Sequence, residues 1–208
     1  MAVSSGQNAI FNLPEINMNI RVLAIAEYSD LPETHQLIGL HNAGVQLRVI
    51  CAERARYKQL LLDAGVNATW LNFSGRFDSR ARATIKTVLN EEEFDIVHVF
   101  TSKALQNSLP LVKNKSIKLI AYRGIEGNVS VFDPISWATY LNPRVDKIIC
   151  VANAIRDFLK KLKFLWWQFP QDKAITIYKG HDLSWYQKPA IPRSTWGVPE
   201  TAFLVGCI

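Results

Sequence analysis

Cysteine is scarce in this chain: its 208 residues hold three, Cys51, Cys150 and Cys207. They are widely spaced and odd in number, which excludes a disulfide-stapled scaffold and reads as free, buried thiols in a reducing compartment. No apolar run approaches the roughly 18 residues of a membrane-spanning helix. The opening MAVSSGQNAIFNLPEIN has neither a basic stretch nor a long apolar one, so it is not a secretory signal. No GxGxxG follows the first apolar run, which leaves a nicotinamide or flavin site without support. Walker A and the GxSxG elbow are missing as well. There is no Asp-x-Asp pair and no His/Cys cluster at metal-ligand spacing, so no metal site is expected. Internal repeats and low-complexity stretches are also absent.

What is there is globular. Hydrophobic residues make up 49% and charged residues 20%, which excludes a disordered chain. The net charge is +6, from 24 basic and 18 acidic side chains. It is uneven: residues 1–94 hold nine basic and ten acidic side chains, residues 95–208 hold fifteen and eight. The second half is therefore where an anionic partner should be met.

Short β-branched runs alternate with helical patterns. Strands are predicted at 20–26, 46–51, 68–73, 95–100, 118–122, 147–152 and 174–178, mostly continuously apolar, as in strands covered on both faces. Pro32 suits a first helical turn, with Leu37 and Leu40 on one face and Gly44 as the stop. A second helix is read over 54–64, ending at Gly65, and a third starts at Asp78 or Ser79. Strand, crossover helix and strand in repetition give an α/β, Rossmann-like, doubly wound parallel sheet of about seven strands. Residues 1–18 read as an N-terminal extension, 19–188 as the sheet domain and 189–201, with Pro189, Pro192 and Pro199, as a linker. AFLVGCI at 202–208 reads as the first strand of a second, truncated domain.

Ligands bind open parallel sheets at the carboxyl ends of the strands. That selects the loops 27–31, 101–103, 123–128, 153–154 and 179–182. The fourth strand leads to Thr101, Ser102 and Lys103. In YRGIEGN, Gly124 and Gly127 permit a sharp bend and close ligand approach, Arg123 offers a guanidinium to a phosphate or carboxylate, and Glu126 and Asn128 suit sugar hydroxyls. In YKGHDLSWY, Lys179 and Gly180 precede His181 and Asp182. Adjacent residues rarely aim at one target, so capping or hinge duty for Asp182 is favoured over a direct His–Asp relay. His98 lies in DIVHVF, where it reads either as a hydrogen-bonded core residue or as one exposed to the cleft.

The segment NAIRDFLKKLKFLWWQFP (153–170) is basic and aromatic. As a helix it puts Ile155, Phe158, Leu159 and Leu162 on one face and Arg156, Lys160 and Lys163 in a stripe. If the helix continues, Phe164 and Trp167 fall beside that stripe, a pattern suited to an anionic membrane surface. Alternatively the helix ends near Lys163 and the tryptophans bury against the sheet. A single short stripe is a poor match to nucleic acid, and no nucleic-acid partner is expected.

The succession DIVHVFTSKALQ, KLIAYRGIEGN, VDKIICVANAIRDFL and AITIYKGHDLSWY resembles the N-terminal half of family-4 glycosyltransferases of the GT-B fold. Their strands typically carry D-[IV]-[IV]-H-x-H, then H-G, then V-S-x-x-x-[RK], then N-G-[VI]-D. Phe100 stands at the second histidine, Arg123 at the histidine before Gly124, Ala152 at the serine, and Lys179 and His181 at the asparagine and aliphatic positions. His98, Gly124, Arg156, Gly180 and Asp182 match. The resemblance implies a retaining transferase, without metal or other cofactor, that moves a sugar from a nucleotide-sugar donor to a glycan or lipid-linked acceptor. Its place would be cytoplasmic, on the inner membrane face, in surface polysaccharide or lipopolysaccharide synthesis. Arg123 and His98 are then the candidate catalytic residues, and the remaining loop residues named above bind substrate. A sugar-nucleotide epimerase of the same architecture, or a non-catalytic glycan- or membrane-binding module, are the competing expectations.

Overall fold

The computed structural model describes residues 19–114, 116–187, 189, 191–199 and 201–205. The expected N-terminal extension, Cys207 and residues 206–208 lie outside them. The apolar runs become β1 (Arg21–Ala26), β2 (Gln46–Cys51), β3 (Asn67–Trp70), β4 (Ile96–Val99), β5 (Lys118–Arg123) and β6 (Lys147–Cys150). A short hairpin of β7 (Lys163–Phe164) and β8 (Trp167–Gln168) precedes β9 (Ala174–Thr176). Seven strands form one sheet in the order β3-β2-β1-β4-β5-β6-β9, every pair parallel. The order reverses between β1 and β4, the switch point of a doubly wound sheet.

Helices α1 (Leu31–Asn42), α2 (Lys58–Asp63), α3 (Ser79–Glu91), α4 (Ser102–Ser108), α5 (Pro134–Trp137) and α6 (Asn153–Lys160) cover the faces. Their starts are written in the sequence. Asp30 and Glu33 form a reciprocal capping box on α1, with Pro32 in the first turn. Asp78 caps α3 and Asp133 caps α5. Ala152 stands at the N-cap of α6 and offers no side-chain acceptor. Alternation along β1 sends Leu23 and Ile25 to the face beneath α3, α4 and α6, and Val22, Ala24 and Ala26 to the face beneath α1 and α2. Full burial of such side chains contributes about 1.5–3 kcal/mol each, which makes the sheet the stable base for its loops.

Several boundaries differ from expectation. The strand read over 68–73 ends at Trp70, the helix read over 54–64 forms only at Lys58–Asp63, and the last strand stops at Thr176. Residues 202–205 form no strand. The main correction concerns 153–170: the helix ends at Lys160, so Lys163, Phe164 and Trp167 belong to the hairpin and not to a helical stripe. Packing overrides helical spacing here. Trp167 packs on Trp137 in a tilted arrangement at 4.8 Å and meets Phe169 edge-on at 6.5 Å, while Phe169 is fully buried. Arg156 spends its charge on Asp157, at 2.7 Å.

Candidate functional site

The last two residues of β5 organise the carboxyl edge of the sheet. Successive strand residues point to opposite faces, so Tyr122 and Arg123 face two different clefts. The first is a cavity of about 490 Å³ between the start of α1 and the segment after β9, lined by Pro32, His35, Tyr122, Lys179, His181 and Trp185 among others. The second, about 550 Å³, lies between the start of α4, the loop after β5 and α5, and includes Arg76, Ser102, Arg123, Asn128, Asp133 and Tyr140.

The predicted residues are thereby divided. Lys179, Gly180, His181 and Asp182 gather in the first cleft; Ser102, Arg123 and Asn128 gather in the second. Thr101 caps α4, its hydroxyl accepting from the Ala104 N–H at 3.2 Å. Exposed Glu126, exposed Gly124 and half-buried Gly127 line neither cleft. His98 does not reach the edge. It is 7% exposed, packs on Phe100 at 4.3 Å, and Phe100 in turn packs on Tyr122 at 5.4 Å. Of its two sequence readings the buried one is observed, with a difference: the His98 Nε2 has no hydrogen-bond partner among the described residues. Burial pushes its pKa down to about 4, so the ring is neutral near pH 7.

Electrostatics separate the three predicted cations. Lys103 pairs with buried Glu27. Lys179 pairs with Asp30 and, at 3.0 Å, with Glu33. Burial works to lower the Lys179 pKa, but the hydrogen bonds it donates to the two carboxylates together raise it. Arg123 makes no ion pair with a carboxylate among the described residues. It is 6% exposed, donates to the Gly127 carbonyl, and lies 4.8 Å over the Tyr140 ring. The loop it holds turns through two left-handed residues, Gly127 at φ 77° and Asn128 at φ 51°. Glycine carries the first without strain; asparagine tolerates the second.

The capping reading of Asp182 is observed: its carboxylate accepts from the Ser184 N–H at 2.8 Å and starts a single 3₁₀ turn, Leu183–Tyr186. That turn carries Trp185 onto His35 at 4.5 Å. Sequence reasoning passed over His35, although its place one turn into the helix after β1 was a usable signal. Arg76, on the loop before α3, had none.

No helix among the described residues is long and apolar enough to cross a membrane. Among the described residues no group of three or more His, Cys, Asp or Glu is arranged to hold a metal ion. Burial raises the Cys51 pKa and lifts that of Cys150 to about 11, so both thiols stay protonated.

Residues 35–185 match the family model for glycosyltransferase family 4. No curated protein matches the sequence. Among solved structures, a glycosyltransferase from Rickettsia africae superposes with a TM-score of 0.63 at 15% identity, over 88% of this chain and 51% of that one. HepE from Anabaena, in complex with UDP-glucose, superposes with a TM-score of 0.57 at 16% identity, over 80% of this chain and 46% of that one. The chain thus spans about half the length of the solved structures it matches, and the likeness establishes the fold.

Proposed function

The chain belongs to glycosyltransferase family 4, and we propose that it is the acceptor-side half of a retaining, metal-independent enzyme that moves a sugar from a nucleotide-sugar donor to a glycan or lipid-linked acceptor. The observation that carries this reading is the family match over residues 35–185, a span that includes the Arg123 cleft and all but Pro32 of the first cleft's lining. In this reading 189–201 is a linker, and 202–208 begins the domain that holds the donor. Work at the cytoplasmic membrane face, in surface polysaccharide or lipopolysaccharide synthesis, accords with the basic second half of the chain. HepE was solved in complex with UDP-glucose, which makes a uridine diphosphate sugar the first donor to test.

The chemistry asks little of this half beyond position and charge. As the glycosidic bond to the departing diphosphate breaks, negative charge grows on its oxygen, and a fixed cation lowers that barrier most where water is excluded. Arg123 is the predicted cation best suited to this, since Lys103 and Lys179 are already neutralised by carboxylates. Its contacts with Gly127 and Tyr140 fix the guanidinium before substrate arrives. Asn128 and Ser102, on the same cleft, position sugar or acceptor hydroxyls. His98 acts through Phe100 and Tyr122 as a positioning residue.

The test uses the full-length protein with UDP-glucose and a panel of other nucleotide sugars, reading nucleotide release and the anomeric configuration of the product by NMR. Retained configuration and a rate unaffected by a chelator are expected. Inversion, or loss of activity on chelation, would overturn the corresponding part of the reading.

A further inference from the structure

The two clefts at the carboxyl edge differ in charge. At the first, three carboxylates, Asp30, Glu33 and Asp182, stand against one lysine, Lys179, which already pairs with Asp30 and Glu33. In the second, two guanidiniums, Arg76 and Arg123, line the cleft with one carboxylate, Asp133. That carboxylate is occupied: it accepts from the Ser136 hydroxyl at 2.8 Å, the Ile135 N–H at 3.0 Å and the Ser136 N–H at 3.1 Å. The hydrogen bonds from Ser136 and Ile135 hold its pKa below the ordinary carboxylate value, with a smaller contribution from the Arg76 charge. Arg76 is therefore near Asp133, yet forms no ion pair or hydrogen bond among the described residues. Glu126, the other acidic side chain of the loop after β5, lines neither cleft.

The loop that carries Arg76 is pinned, although the side chain itself is exposed. Fully buried Asn107, on α4, donates to the Gly75 carbonyl at 3.0 Å and accepts from the Asp78 N–H at 2.9 Å. Asp78 in turn accepts from the Ser74 N–H and hydroxyl, each at 2.7 Å. The backbone on both sides of Arg76 is thus fixed, which holds the exposed guanidinium at the rim of the cleft while buried Arg123 forms its floor. Arg123 serves the departing diphosphate; Arg76 adds a second positive charge, from a different wall, for a second anionic group. The walls contributed by Ile125, Val129 and Ile135 are apolar and offer that group no competing cation. A guanidinium presents paired N–H donors in one plane, which fits two oxygens of a carboxylate or a phosphate. In the first cleft the same anion would meet carboxylates and be repelled. We propose that Arg76 selects an acceptor that carries an acidic group, a sugar carboxylate or a sugar phosphate, and docks that group at the rim of the Arg123 cleft. This role rests on the sugar-transfer reading and adds to it the charge of the acceptor. Arg76 sets specificity and touches no reacting atom.

The test is binding of methyl glucuronide, glucose 6-phosphate and methyl glucoside to the full chain, without donor and at matched ionic strength, read from the arginine Nε–H signals by NMR. A preference of about ten-fold or more for an acidic sugar over methyl glucoside is expected, with the Arg76 signal shifting. Tighter binding of the glucuronide assigns the site to a carboxylate, and tighter binding of glucose 6-phosphate assigns it to a phosphate. Arg76→Gln should remove the preference, and Arg76→Lys should keep only part of it, since an ammonium lacks the paired planar donors. Arg76 is exposed and bonds to no neighbour among the described residues, so an unchanged melting temperature is expected for both variants. Equal affinity for acidic and neutral sugars, or a preference undiminished in Arg76→Gln, would overturn the proposal. So would inorganic phosphate bound as tightly as glucose 6-phosphate, which would assign the cleft to a free anion. Competitive displacement of the acidic sugars by UDP would also overturn it, by assigning Arg76 to the donor. Failure of the sugar-transfer reading looks different: no nucleotide release from any nucleotide sugar, with the discrimination between charged and neutral sugars intact.

Discussion

Acidification should destabilise this protein through one buried ring. His98 is 7% exposed beneath Phe100, with no hydrogen bond to Nε2 among the described residues, and its pKa falls from 6.5 to about 4. The unfolded chain takes up this proton near pH 6.5, while the folded chain refuses it until about pH 4. Between those values the unfolded state binds more protons, so stability rises with pH. The contribution is fully present above pH 6.5 and is lost as pH falls towards 4. At 1.36 kcal/mol per pKa unit the loss is about 3 kcal/mol, or ~6–12 °C in melting temperature for a domain of this size. Carboxylates titrate in the same range, so the informative quantity is a difference. Urea unfolding of the parent and of His98→Leu, each measured near neutrality and near pH 4, isolates it. The parent should lose about 3 kcal/mol more than the variant. Parallel losses in the two proteins would refute the assignment of a desolvated, neutral ring.

Other perturbations test the local arguments by equilibrium unfolding. Ala152→Ser supplies the missing acceptor at the start of α6, where the backbone is already extended (φ −148°), and should raise stability by about 1 kcal/mol. Asp78→Ala removes the acceptor for the Ala81 N–H and for both donors of Ser74, and should cost about 1–2 kcal/mol. These bonds hold the Asp78 pKa down to about 2, so the parent's advantage over the variant should persist to pH 4 and disappear only under strong acid. Lys103→Met leaves the Glu27 carboxylate buried without its partner and should cost about 2–3 kcal/mol, whereas Lys103→Arg should cost less. Unchanged unfolding midpoints for Ala152→Ser or Lys103→Met would reject the respective capping and pairing arguments.

The sheet was legible because its signals are local. Continuous β-branched runs, Asp30 with Glu33, and Asp78 before a helical pattern each specify their element within a few residues. The loops that carry the site were legible for a related reason, since strand ends are found once strands are. Their grouping was not. That Tyr122 and Arg123 open onto different faces follows from strand alternation, but which helices border each face is a tertiary fact. Thus Arg123 and Asn128 separate from Lys179 and His181, and Lys179 meets Asp30 and Glu33 across 149 and 146 residues of sequence. The segment 153–170 misled for the opposite reason. Its 3.6-residue spacing is real, yet packing Trp167 between Trp137 and the buried Phe169 requires the chain to turn at Leu165. Non-local packing of aromatic rings decides such a segment, and periodicity cannot register it.

Sugar transfer assisted by Arg123 is the central claim, and the turnover of its variants tests it most directly. With the full-length protein and its preferred nucleotide sugar, Arg123→Ala should lower kcat about 10²–10³-fold, and added guanidinium ion should restore part of the rate. Because the side chain also holds Gly127 and covers Tyr140, some loss of melting temperature will accompany the change. Guanidinium rescue distinguishes the two effects, since a merely structural role would not respond to it. Arg123→Ala turning over at the parent rate would contradict the account.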